Sequence, residues 1–176
     1  MKALVVYESM YGNTAMIGEA IAASLRTHGL DAHAGPVSKI HADETAGFDL
    51  LVVGGPTHAH GMSRPETRDT AVRDKSNTFA EPTVLPGLRE WIDSLPVGDD
   101  RPAAAFDTRI DKPAILTGSA AKKISRRLED HGYRLITGPE SFFVSMKNRL
   151  QDGEVDRATA WGTRLTESVS VEEGSS

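Results

Sequence analysis

The sequence contains no cysteine, which excludes disulfides, thiol catalysis and thiolate metal sites. Redox chemistry in such a chain has to come from a bound cofactor or from a metal held by other ligands. Long apolar runs are also lacking. The first, residues 3–7, is far too short for a signal-peptide core or a spanning helix. No membrane association and no export are therefore expected, and a cytoplasmic location is the default. A basic surface is missing as well, since the formal charge is −5, and nonspecific binding of nucleic acid needs the opposite sign. No internal repeat is present, and low complexity is confined to residues 171–176, a tail expected to fray.

What is present fits one ordinary globular domain: 176 residues, 39% apolar and 26% charged. Residues 2–7 form a compact apolar run, the pattern of a buried parallel strand. Met16, Ile17, Ala20, Ile21 and Leu25 then recur at helical spacing over residues 13–27, and Gly29 stops that helix. The pattern continues with a short strand over residues 31–34 and a clear central strand over 49–55. Residues 56–82 are polar and read as a long loop with one helical turn. Beyond them come a helix over 85–95, a strand over 102–107 and a helix over 119–131. An interrupted last strand over 133–136 and 141–144 precedes a closing helix over 154–165. Trp91 and Trp161 fall on apolar helical faces and are expected in the core. Strands alternating with helices imply an α/β fold with a parallel sheet covered on both faces. The domain is expected to span residues 1–168, with 169–176 a disordered tail.

In open α/β sheets, ligands sit at the carboxyl ends of the strands. The first such segment, Ser9-Met10-Tyr11-Gly12-Asn13-Thr14, turns straight into a helix. Gly12 permits close backbone approach, the short side chains of Ser9, Asn13 and Thr14 are polar, and free amides at a helix start favour an anion. No Lys or Arg lies between Lys2 and Arg26, so neutral donors alone would hold the phosphate. The lysine of a nucleoside-triphosphate loop and the Gly-x-Gly-x-x-Gly of dinucleotide binders are both missing. A single buried monophosphate suits such a loop; the other reading is an ordinary turn in which Asn13 or Ser9 caps the helix.

Tyr7-Glu8-Ser9-Met10-Tyr11-Gly12-Asn13-Thr14 resembles the FMN phosphate loop of flavodoxin-like proteins, usually Thr/Ser-x-Thr-Gly-x-Thr, with Tyr11 in place of the middle Thr. Ser-Met-Tyr-Gly is also similar to the loop of flavodoxin-fold quinone reductases. Gly54-Gly55-Pro56-Thr57 matches the end of the third strand in that superfamily, and Phe106-Asp107-Thr108-Arg109 falls where a third flavin loop belongs. The ending, Ser141-Phe142-Phe143-Val144 through Gly153-Glu154 to Trp161-Gly162, is similar to that of single-domain members. The resemblance implies a flavodoxin-like three-layer sandwich with a five-stranded parallel sheet in the order 2-1-3-4-5. It also implies FMN bound by Ser9, Met10, Tyr11, Gly12, Asn13 and Thr14, then by Pro56, Thr57, His58, Ala59, His60 and Gly61, and finally by Asp107, Thr108 and Arg109.

Within that picture His58 or His60 lies against the flavin where electron-carrying flavodoxins stack an aromatic ring, or both are solvated loop residues. A metal held by His58 and His60, with Asp107, has weak support because no third ligand is fixed. Arg109 either stabilises the anionic reduced flavin or is a surface arginine, solvated or paired with Asp107 or Asp111. Lys122, Lys123, Arg126 and Arg127 form a basic stripe that reads as the solvated side of a helix. No catalytic acid or base independent of the flavin is recognisable. Three functions are consistent with these residues: electron transfer to a redox partner protein, reduction of a small quinone-like acceptor, and a cofactor-free scaffold on the same fold.

Overall fold

Alternation of short apolar runs with amphipathic stretches gives, in the computed structural model of the chain, a parallel sheet between two layers of helices. The structure describes residues 1–58, 61–74, 77 and 86–173. In chain order the strands are β1 (Lys2–Tyr7), β2 (Asp31–Pro36), β3 (Leu50–His58), β4 (Gly61–Met62), β5 (Pro102–Ile110), β6 (Arg134–Leu135) and β7 (Glu140–Val144). The helices are α1 (Asn13–Thr27), α2 (Pro65–Arg73), α3 (Leu88–Asp93), α4 (Ala114–Thr117), α5 (Ala120–Asp130) and α6 (Glu154–Glu173). The sheet runs β2-β1-β3-β5, and β6 and β7 both pair in parallel with β5 to share the last position. This is the expected order, with the last strand interrupted as the sequence predicts. One strand is additional: β4 pairs antiparallel with the end of β3.

Both faces of the sheet are covered, so the strands are apolar on both sides. Along β1, Ala3, Val5 and Tyr7 point to the layer containing α1 and α6, while Leu4 and Val6 point to the layer of α3 and α5. Trp161 of α6 packs edge-on against Phe106 of β5 and Phe142 of β7, with ring centroids 6.2 and 6.1 Å away. Trp91 is buried in the opposite layer, and its indole N–H donates to the Ile40 carbonyl at 2.7 Å. Both tryptophans are core residues, as their helical spacing indicates.

Several segments differ from expectation. β3 and β5 run three residues further than expected, so positions 56–58 and 108–110 lie inside strands. The ladder continues through Gly55 opposite Asp107 and Pro56 opposite Thr108, then through Arg109 opposite Phe143 on the other side. Pairing with β4 beyond Pro56, and with β3 and β7 along β5, holds these residues extended although most of their side chains are polar. Residues 65–73, expected in a loop, form a nine-residue helix that starts on Pro65 and is fixed by reciprocal bonds between Arg64 and Thr67. The closing helix continues to Glu173, past the expected boundary at residue 168, and buries Val169 against the core. Residues 174–176 lie outside the described residues.

Gly54 makes the centre of the sheet possible: a Cβ there would lie 2.0 Å from Cζ of Phe106. Gly54→Ala should therefore overpack the core and lower unfolding stability by about 1–3 kcal/mol. Phe106→Leu in the same chain should recover part of that loss. Urea unfolding of the two single variants and the double variant checks the coupling, and strictly additive effects would show that the ring is not what Gly54 accommodates.

Candidate functional site

The carboxyl ends of β1, β3 and β5 open on one cleft, with Tyr11, Asn13 and Thr14 on one wall and Pro56, Thr57 and His58 on another. Thr108, Arg109 and Ile110 close it from β5, with Val144 and Asn148 beside them. The turn between β1 and α1 is made by Gly12, whose φ of +86° lies in the left-handed region. That conformation aims the first turn of α1 at the cleft. The Met16 amide begins the helical ladder on the Gly12 carbonyl at 3.0 Å, and the Ala15 amide donates to Ser9 Oγ at 3.2 Å. The amides before them have no intrahelical acceptor by the geometry of any α-helix. No acidic side chain sits in that first turn to compete for them.

Each expected residue has a definite place. Met10, Tyr11, Asn13, Thr14, Pro56, Thr57, His58, Thr108 and Arg109 line the cleft. Ser9 and Gly12 shape its rim through the cap and the turn. Gly61 is buried in β4 beneath the Lys123 ammonium, whose Nζ lies 2.5 Å from where a Cβ would be. Ala59 and His60 lie outside the described residues.

Asp107 does not line the cleft. Successive strand side chains alternate between faces, so when Thr108 faces α1, Asp107 faces α5. Its fully buried Oδ2 accepts from Thr57 Oγ1 at 2.9 Å, Ser119 Oγ at 2.8 Å and the Ala121 amide at 2.9 Å. The carboxylate fastens the start of α5 to β3 and β5 and is turned away from His58. Among the described residues no three metal-ligating side chains come together.

On the cleft side, Thr14 Oγ1 lies 2.8 Å from Thr108 Oγ1, both buried. One hydroxyl proton serves that bond, and the other remains free to donate. The Asn13 side chain donates through Nδ2 to the Asn148 carbonyl at 2.9 Å, closing the turn after β7 over the start of α1. Arg109 makes neither of the ion pairs weighed for it. Its guanidinium donates to Ser141 Oγ at 3.1 Å and the Lys112 carbonyl at 2.5 Å, and lies 5.0 Å from the centre of the Phe143 ring. It is a positioned, half-buried cation on the cleft wall.

Tyr11 reaches Asp74 Oδ2 at 3.4 Å with its hydroxyl, and burial followed by the Asp74 charge raises its pKa. Burial alone lowers the pKa of His58, so a neutral imidazole faces the cleft at neutral pH.

One cluster was not anticipated. Glu8, buried at the end of β1, accepts from Ser63 Oγ at 2.6 Å and the Leu88 amide at 3.1 Å. Arg68 of α2, also buried, lies 3.8 Å from Glu8 and 3.5 Å from Glu90. These residues hold α2 and α3 together behind the first loop. The signal available was an acidic residue directly after a buried strand, answered by an arginine in a polar stretch.

A family model for flavodoxin matches residues 5–83, which include the Ser9–Thr14 turn and all of β3. Among solved structures, a flavodoxin from the Archaea superposes with a TM-score of 0.68 at 20% identity, covering 97% of this chain and 99% of its own. The fold is flavodoxin-like. Flavodoxin 1 of Bacillus cereus gives 0.70 at 16% identity, covering 95% of this chain and 98% of its own. A WrbA-like flavodoxin from Agrobacterium tumefaciens gives 0.59 at 18%, with coverage of 94% and 95%. No curated protein sequence matches the chain.

Flavodoxins bind FMN, and the donors present in this cleft fit it. A helix start without acidic residues, a hydroxyl pair and the Asn13 amide suit a phosphate. The apolar Met10, Pro56, Ile110 and Val144, with the rings of Tyr11 and His58, suit a flat aromatic system.

His58 provides a test of the cleft's electrostatics. Its folded pKa lies below the ordinary 6.5, so the folded protein prefers the neutral form. The resulting stability is complete above the unfolded value and is lost as pH falls below it towards the folded value. His58→Asn should flatten the fall in urea midpoint below pH of about 6.5. Superimposable pH profiles of wild type and variant would show that burial does not act on this imidazole.

Proposed function

We propose that the cleft binds FMN with its phosphate at the start of α1, and that the protein carries electrons to a redox partner. The observation that supports this most strongly is the Gly12 turn, which points the free amides of α1 and the Thr14–Thr108 pair at one neutral spot. FMN supplies the redox chemistry; the chain binds, orients and tunes. In this reading Asn13 and Thr14 donate to the phosphate, while Ser9 holds the helix start through the Ala15 amide. Thr57, tied to Asp107, sets the height of the β3 wall, and His58 lies along the ring as a neutral aromatic surface.

Reduction of a quinone-like acceptor is the second reading, and Arg109 favours it. A cation held on the cleft wall by Ser141 and the Lys112 carbonyl lowers the cost of negative charge on the reduced cofactor. Rapid reduction by NADH or NADPH in stopped flow would support the reductase, and reduction only by a protein donor would support the carrier.

The phosphate assignment is tested by affinity. Thr14→Val keeps the side-chain shape and removes the hydroxyl. It should weaken FMN binding about tenfold or more, because a hydrogen bond to a charged group contributes about 1.5–3 kcal/mol. Binding of riboflavin, which lacks the phosphate, should not change. Equal affinity of wild type for FMN and riboflavin would contradict the assignment, and a colourless protein that takes up neither would leave a cofactor-free scaffold.

A further inference from the structure

Beside the cleft lies a surface that the cofactor does not account for. Ile110 and Val144 are paired neighbours at the ends of β5 and β7, so the segments that follow them emerge side by side. The first carries α4, a single turn whose Ile115 and Leu116 are 89% and 63% exposed. The second is a tight turn, closed by the Ser145 amide on the Arg149 carbonyl at 2.8 Å, on which Met146 is 71% exposed. Two consecutive large aliphatic residues left in water on one short helix, with a methionine on the adjoining turn, are the composition of a contact surface.

The charges around these residues are mostly positive. Lys112 precedes α4, and Lys147 and Arg149 flank the second turn; all three are exposed and form no ion pair among the described residues. Asp111 is the acidic residue within these two segments. A chain with a formal charge of −5 thus places three exposed cations beside the cleft. Such an asymmetry orients an incoming partner of opposite sign. Both segments are also tied to the cleft wall, the first through Arg109 to the Lys112 carbonyl and the second through Asn13 to the Asn148 carbonyl.

We propose that α4 and the 145–149 turn form the docking surface for an acidic redox protein, which sets its apolar contact on Ile115, Leu116 and Met146 and its carboxylates against Lys112, Lys147 and Arg149. The inference rests on the electron-carrier reading above and names the chemical class of its partner.

The test uses an acidic plant-type [2Fe–2S] ferredoxin as probe and basic cytochrome c as control, with affinities measured calorimetrically on the FMN-supplemented protein. Ferredoxin should bind at low salt and weaken about tenfold at physiological ionic strength, where the screening length is about 8 Å. K112E/K147E/R149E should abolish that binding and transfer preference to cytochrome c. I115S/L116S should weaken ferredoxin at both salt concentrations. Tighter binding of cytochrome c to wild type, no ferredoxin binding, or affinities that the charge reversal leaves unchanged would overturn the proposal. So would a concentration-dependent dimer in sedimentation that I115S/L116S dissolves, since the occupant would then be a second copy. Flavin absorbance of the same samples is read separately. Calorimetry does not need the flavin, so a colourless protein would sink the cofactor reading without obscuring the docking result.

Discussion

Two adjacent residues of β5 control how the cleft is built. Because strand side chains alternate, Asp107 and Thr108 face opposite helical layers, and each fixes the start of one helix. Asp107 receives Thr57, Ser119 and the Ala121 amide, which holds α5 to β3 and β5. Thr108 meets Thr14, which holds α1. A one-residue slip in the register of β5 would exchange the two faces and detach both helix starts. The wall formed by Pro56, Thr57 and His58 follows from the same register, since β3 is paired with β5 up to Pro56 and Thr57 is bonded to Asp107.

Around this core of polar contacts the protein accommodates charges in poor surroundings. Glu8 and Arg68 are buried, and their closest approach is 3.8 Å, longer than a hydrogen bond. A buried ion pair of that geometry contributes little net stability, whereas removing one partner leaves the other charge uncompensated. Its value here is positional. Glu8 also receives Ser63 and the Leu88 amide, so a single carboxylate next to the turn at residues 9–14 gathers three segments distant in sequence. The exposed rim of α4 and the 145–149 turn is the opposite case: apolar groups left in water where burial within the chain was available to others.

Much of this was legible because periodicity reports burial. The apolar runs of β1 and β3 and the helical spacing of α1, α5 and α6 reflect faces turned to the core, and Gly12 signals a turn with close backbone approach. The residues that escaped such reading are those whose structure comes from pairing or from charge. Positions 57–58 and 108–109 are polar and resemble loop, yet neighbouring strands hold them extended. Asp107 looks like a site residue in sequence because the opposite facing of 107 and 108 matters only once β5 is known to continue. The helix from Pro65 to Arg73 buries an arginine and an alanine where a pattern of apolar residues was sought.

The central claim is that neutral donors at the start of α1 hold a buried phosphate dianion, and phosphorus NMR tests it directly. The second ionisation of a free phosphate monoester lies near pH of about 6. Helix amides and hydroxyl donors favour the more charged form, so the resonance of FMN bound to this protein should stay at its dianionic position as pH is lowered through that value. A bound resonance that titrates near 6, as free FMN does, would place the phosphate in water and contradict the account.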